Sequence, residues 1–246
     1  EFDGRPDTET QLNQCENAIA SGADALLFIP FDKDGAAPII DNCNEAGIPV
    51  ICCNNITTNV DQATAYVGAN DVEAGIMETE YIVDLIGGKG NIAVVEGPFG
   101  HSAQVARQEG LEQVLAGYPD CKIVLDDTAN WNRDEAMELV ENWIAGGTQI
   151  DAIICHNDIM AMGALQACQD AGLEIPIIGI DATYDALCAV KDGTLAADVY
   201  QDVYGQAEEA FNVCMRILNG ETFEQTTYVP FKLITKDNVD EYLANF

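Results

Sequence analysis

Positive charge is what this chain has least of: 10 Lys and Arg stand against 42 Asp and Glu, a formal net charge of −32. So acidic a surface repels phosphate backbones and anionic lipid, which excludes nucleic acid as an expected partner. Histidine is nearly missing, with two in 246 residues, and no Cys-x-x-Cys pair or Cys/His cluster stands at metal-ligand spacing, so no metal is assigned. Long apolar runs are missing too. The longest, 25–30 and 175–180, have strand length, far short of the roughly 18 residues that a membrane-spanning helix needs. There is no Gly-x-Ser-x-Gly, no Cys/His nucleophile signature and no Gly-x-Gly-x-x-Gly after a strand. Gly87, Gly88 and Gly90 precede a strand, the wrong side for a phosphate cradle. With 42 acids, chance proximity of carboxylates carries no catalytic meaning. The expectation is a protein that is not an enzyme and uses no cofactor.

The nine cysteines are what remains to be explained on the redox side. Most sit in apolar strand or helix patterns and read as buried free thiols. Their number is odd, and the adjacent Cys52 and Cys53 would make a strained bridge, so a disulfide framework is not indicated and a reducing or anaerobic habitat fits.

Short β-rich runs alternate with amphipathic stretches nearly to the end, the pattern of βα units on a parallel sheet. The pattern predicts strands at 25–30, 48–53, 64–68, 91–96, 122–126, 152–156, 175–180, 195–200 and 228–234. It predicts helices at 8–20, 34–46, 71–86, 102–116, 133–145, 158–171, 184–192, 203–219 and 237–245, several stopped by glycines such as Gly47, Gly172 and Gly193. Nine strands are many for one small sheet. With two lobes and no long linker, the chain would cross between them at 68–71, 201–203 and 229–232.

In open parallel sheets, ligands bind outside the carboxyl ends of the strands. There the sequence places Asn54 and Asn55 after 48–53, Asn157 after 152–156, Asp181 after 175–180 and Gln201 after 195–200. The loop after 91–96 leads to His101 and Arg107, and the one after 122–126 carries Trp131. Amides and carboxylates donate and accept in pairs and match vicinal hydroxyls, Arg offers a fork of donors, and an indole face suits the C–H side of a sugar ring. Singly, each Asn or Asp is as well explained as a turn residue or helix cap. Arg107 could serve a surface ion pair and Trp131 a core. His156 should point away from Asn157 by strand alternation and reads as a packing residue.

At these residues the chain resembles the ribose-type and glucose/galactose-type periplasmic binding proteins. The resemblance rests on Gly47-Ile48-Pro49-Val50-Ile51 leading to Asn54, on Asn157-Asp158-Ile159-Met160-Ala161-Met162-Gly163-Ala164, and on Gly179-Ile180-Asp181-Ala182. Gly100-His101 with Arg107, and Asp127-Thr128-Ala129 with Trp131, lean toward the glucose/galactose branch. The resemblance implies a type I periplasmic binding protein: two doubly wound parallel-sheet, Rossmann-like lobes joined by a three-segment hinge, 1–69 plus 202–230 and 70–201 plus 231–246. It implies capture of a monosaccharide or polyol for the permease of an ABC transporter, with contacts from Asn54, Asn55, His101, Arg107, Trp131, Asn157, Asp181 and Gln201. It also implies a periplasmic or cell-surface location, reached by an export signal that this sequence does not show, and a membrane association only through a lipid anchor outside it. The chain departs from the family in three ways. Its opening βα unit would lie upstream of Glu1, which would leave two neighbouring strands of the first lobe unpaired. Ala103 stands in place of an aspartate and Asn55 in place of a basic residue, and no calcium loop occurs near 84–91. The alternative is the effector-binding core of a LacI-type transcriptional regulator, whose basic helix-turn-helix is not in this sequence.

Overall fold

The computed structural model describes residues 7–244 and 246. The described residues form α1 Thr8–Ala20, β1 Leu26–Phe28, α2 Ala37–Ala46, β2 Val50–Cys53, β3 Ala65–Gly68, α3 Asp71–Leu85, β4 Gly90–Glu96, α4 Ser102–Leu115, β5 Cys121–Thr128 and α5 Arg133–Ala145. They continue with β6 Ala152–Cys155, α6 Asp158–Asp170, β7 Ile177–Ile180, α7 Tyr184–Asp192, β8 Ala197–Tyr200, α8 Val203–Leu218, β9 Thr226–Tyr228, β10 Lys232–Ile234 and α9 Val239–Leu243. One 3₁₀ turn at Val60–Gln62 lies outside the predicted pattern. The chain divides into two compact units, 1–70 with 202–230 and 71–201 with 231–246.

In the first unit the strands run β1-β2-β3-β9, all parallel. Side chains alternate across the sheet, so Val50 and Cys52 join a core with Cys15, Ile39, Ile40 and Cys43, while Ile51, Ala65 and Val67 meet Ala210, Val213 and Cys214 of α8 on the opposite face. The expected gap between two neighbouring strands is not there. Among the described residues β1, β2 and β3 pair in succession, and the edge without a partner strand is that of β1, where Leu27 is 39% exposed.

The second unit has the strand order β10-β8-β7-β6-β4-β5, parallel except for β10. After β4 the chain adds β5 on one side and then β6 on the other, so the order reverses at β4, and the loops after β4 and β6 flank the reversal. The single strand expected at 228–234 is two strands: β9 pairs with β3 in the first unit and β10 with β8 in the second. Pro230, with no N–H to give to a ladder, stands between them.

Helix starts are set locally. Asp7 accepts from Thr10 N at 2.6 Å, Asn132 from Asp134 N at 2.8 Å, and Asp202 from Gly205 N at 2.8 Å. α3 and α4 pack backbone to backbone: a Cβ on Gly75 would lie 2.0 Å from Arg107 O, and one on Gly110 would lie 2.2 Å from Val72 O. That approach brings the start of α3 beside Arg107. The nine cysteines are free thiols, and burial pushes those at 15, 43, 52 and 53 up to between about 11 and about 12.

Candidate functional site

The loop after β4 and the turn after β5 meet. Ala129 N donates to Glu96 O at 3.0 Å and Thr128 Oγ1 to Gly97 O at 2.8 Å. Asn130 and Trp131 then take left-handed φ of 51° and 59°, and this turn lays the indole against the Gly97 backbone. A Cβ on Gly97 would fall 2.2 Å from Trp131 Cη2 and Cζ2. The His101 ring meets the indole edge-on at 5.4 Å between centroids, and the Arg107 guanidinium carbon stands 5.8 Å from the indole centroid. His101 also caps α4, its Nδ1 accepting from Ala103 N at 3.2 Å. Behind the loop, the buried Gln104 donates to Glu96 Oε2 at 2.5 Å and accepts from Gly100 N at 3.1 Å. Burial raises the Glu96 pKa, with Gln104 opposing it.

Arg107 is 4% exposed. Its Nε donates to Asp71 Oδ1 at 2.9 Å, its Nη2 lies 2.8 Å from the same oxygen, and its Nη1 donates to the carbonyl of His156. Those contacts use three of its five N–H groups and leave two. Burial works against the guanidinium charge, but Asp71, Asp181 and Glu78 outweigh it and raise its pKa. The ion-pair reading of Arg107 is therefore half right: it has a carboxylate partner, but a buried one.

Asp181 follows β7 at φ 128°, a region that favours glycine, and Ala182 follows at φ 58°. Burial pushes the Asp181 carboxyl up to about 6, with Arg107 pulling it down and Asp71 pushing it further up. Asn157 is 7% exposed and caps α6, Oδ1 accepting from Met160 N at 3.0 Å. Its Nδ2 is not used by this cap. Gln201, 7% exposed, directly follows β8. Of the eight residues expected from the sequence, Trp131 meets both His101 and Arg107, with Asp181 within the electrostatic reach of Arg107 and Asn157 next to the carbonyl that Arg107 holds. In the first unit, Asn54 has φ 58°, its carbonyl accepts from Tyr66 Oη at 2.6 Å, and Asn55 Nδ2 donates to Pro30 O at 3.0 Å.

The sequence reading left out a layer of buried acids around this cluster. Asp71 opens α3, and Glu78, Asp158 and Asp198 are each fully buried. Neither oxygen of Glu78 has a protein hydrogen-bond partner among the described residues, and burial raises its pKa well above the usual carboxylate range. His156 is equally buried, with neither ring nitrogen partnered among the described residues; burial and then Arg107 push it down to about 3, so the ring is neutral. The packing reading of His156 agrees with this placement.

The periplasmic binding protein domain family matches residues 1–222. The xylitol-binding protein of Mycolicibacterium smegmatis is 39% identical over 95% of this chain and 67% of its own length. A putative rhizopine-binding protein of Rhizobium meliloti is 36% identical over 98% of this chain and 80% of its own. The solved structure of an ABC transporter solute-binding protein from Bacillus halodurans, with bound myo-inositol, superimposes with a TM-score of 0.96 at 39% identity, covering 99% of this chain and 85% of that one. With this fold and these relatives, the chain belongs to the periplasmic binding protein domain family.

Proposed function

We propose that this chain binds a small neutral polyhydroxylated molecule, a monosaccharide or polyol, and passes it unchanged to the permease of an ABC importer from outside the cytoplasmic membrane. The observation that carries this reading is the Arg107 cluster. A guanidinium neutralised by Asp71 keeps two N–H donors over the face of Trp131, with Asp181 within its electrostatic reach and Asn157 following the carbonyl that it holds. Such a set pairs with vicinal hydroxyls on one side and with C–H groups on the other. Asn54, Asn55, His101 and Gln201 are assigned to the same ligand. The relatives named above support the ligand class, since they are described with xylitol, rhizopine and myo-inositol, and the last, an ABC transporter solute-binding protein, favours the importer role over a regulator's effector core.

The test is a thermal-shift screen at pH 7 with xylitol, myo-inositol, ribose and glucose, followed by calorimetry. A ligand present at 100 times its Kd stabilises the native state by about 2.7 kcal/mol and raises the melting temperature accordingly. Recovery of the ligand unchanged after long incubation is expected. Failure of all four, and of further polyols and sugars, to shift the melt would overturn the reading.

A further inference from the structure

The turn after β7 is held in an unusual way. Asp181 and Ala182 both have positive φ without being glycine, a conformation that persists only when its surroundings enforce it. Three successive N–H groups of this turn are each taken. Asp181 N donates to Val199 O at 3.0 Å, Ala182 N to Asp198 Oδ1 at 3.3 Å, and Thr183 N to Asp158 Oδ2 at 2.7 Å. Two of the three acceptors are side chains from different elements, α6 and β8, and both are fully buried. The other oxygens of the pair, Asp158 Oδ1 and Asp198 Oδ2, have no hydrogen-bond partner among the described residues, and Asp158 feels the charge of Asp198. Two ionised carboxylates cannot both persist in a dry site, so at least one of the pair holds a proton.

We propose that Asp158 and Asp198 are positioning residues for ligand binding: a buried carboxyl pair clamps the Asp181–Thr183 turn and makes ligand affinity depend on its protonation. The inference deepens the ligand-binding reading above and rests on it for its second half only. The titratable and charged groups around the pair are Asp181 beyond β7, Arg107 on α4, Asp71 and Glu78 on α3, and Cys155 and His156 at the end of β6. Among them Arg107 is the one cation, and Asp71 already holds it. Burial and the neighbouring acids push Asp158 well above the carboxylate range, and burial with Asp181 pushes Asp198 up to about 7. As pH rises past about 7 Asp198 gives up its proton while Asp158 keeps its own, and a negative charge appears behind Asp181. As pH falls below about 6, Asp181 itself is protonated and stops accepting from hydroxyls.

Two measurements test this on the whole chain, in wild type, Asp198→Asn and Asp198→Ala. The first is ligand-free: NMR shifts of the Ala182 and Thr183 amides from pH 5 to 9, with their hydrogen exchange at pH 7. We expect a common titration near neutrality in wild type, its loss in Asp198→Asn, whose amide can both accept from Ala182 and donate to Asp158, and at least tenfold faster exchange in Asp198→Ala. The second is calorimetry with myo-inositol. Affinity should fall on both sides of neutrality in wild type and at least tenfold at pH 7 in Asp198→Ala. Asp198→Asn should recover most of that loss and show no alkaline fall. Wild-type amides flat from pH 5 to 9 overturn the titration of the pair, even if Asp198→Ala does not fold. Wild-type exchange in a folded Asp198→Ala overturns the clamp. Amides that titrate as stated in a protein that does not bind myo-inositol, or any polyol of the screen, support the clamp and overturn the ligand reading instead.

Discussion

Gly97→Ala is the sharpest single perturbation of the candidate site, because what it displaces is known atom by atom. The new Cβ would stand 2.2 Å from Trp131 Cη2 and Cζ2 and 2.7 Å from Cε2. Carbon atoms rest roughly 3.5 Å apart or more, so the ring must recede by about 1.3 Å or the loop must shift by as much. The ring has little freedom to do so. His101 meets its edge, Arg107 stands over its face, and the backbone that carries it is already at φ 59°. Overpacking of this kind costs about 1 to 3 kcal/mol, enough to lower the melting temperature without unfolding the domain. If the indole is the platform for the ligand ring, affinity falls as well, by tenfold or more for a displacement of that size. Calorimetry with a ligand found in the screen, together with tryptophan emission in a Trp143→Phe background, separates the two effects. Wild-type affinity and emission in a folded Gly97→Ala protein would refute the reasoning. A lowered melt with unchanged affinity would return Trp131 to a packing role.

Other expectations follow from the same contacts. Asp181→Ala and Arg107→Ala should each weaken ligand binding tenfold or more, since a buried hydrogen bond to a charged group contributes roughly 1.5 to 3 kcal/mol; calorimetry showing wild-type affinity in both would remove them from the site. Arg107→Ala should also cost about 3 to 5 kcal/mol of stability by leaving Asp71 without its partner, which urea melts would measure. Gly75→Ala places a Cβ 2.0 Å from Arg107 O and should separate α3 from α4, lowering both stability and affinity; an unchanged melt would show that the contact yields easily. His156, held neutral and pushed down to about 3 from an ordinary 6.5, gives the unfolded chain the extra proton below about pH 6.5. Its contribution to stability is therefore lost as pH falls from there towards 3, roughly 2 to 3 kcal/mol by pH 4.5. Urea melts of His156→Leu should fall less steeply than wild type between pH 6.5 and 4.5, and parallel slopes would contradict this.

Element bounds were legible wherever a local signal sets them. α1, α5 and α7 run over 8–20, 133–145 and 184–192, as the spacing predicts, because Asp7 and Asn132 cap the first two and Gly193, at φ 80°, ends the third. α2 begins at Ala37 rather than 34, because Asp32 Oδ1 accepts from Asp34 N and Gly35 N and holds the preceding residues in a turn. The division of 228–234 into two strands was not legible, since it depends on which distant strand each half pairs with.

The strand-end argument collected residues whose side chains stand at the ends of elements, and there sequence position alone conveys orientation. It could not collect Asp71, Glu78, Asp158 and Asp198, which act from within elements or from a helix start, and in a chain with 42 acids a count of acids hides them. Their register does not. Asp198 stands between Ala197 and Val199 in a strand covered on both faces, and Glu78 falls on the stripe Ala74, Gly75, Glu78, Thr79, Ile82 and Val83 that α3 buries. A carboxyl in either place loses its hydration and gains no full ion pair, because Asp71 already occupies Arg107. Uncompensated burial of that kind costs several kcal/mol as an anion and much less as a neutral acid, so the groups survive in the fold by holding protons. An apolar residue of similar size would avoid the cost, but it could not accept from the N–H groups of Ala182 and Thr183. Asp158 and Asp198 therefore trade stability for the geometry of the turn that presents Asp181, while Glu78, whose carboxyl has no hydrogen-bond partner among the described residues, holds no part of that turn.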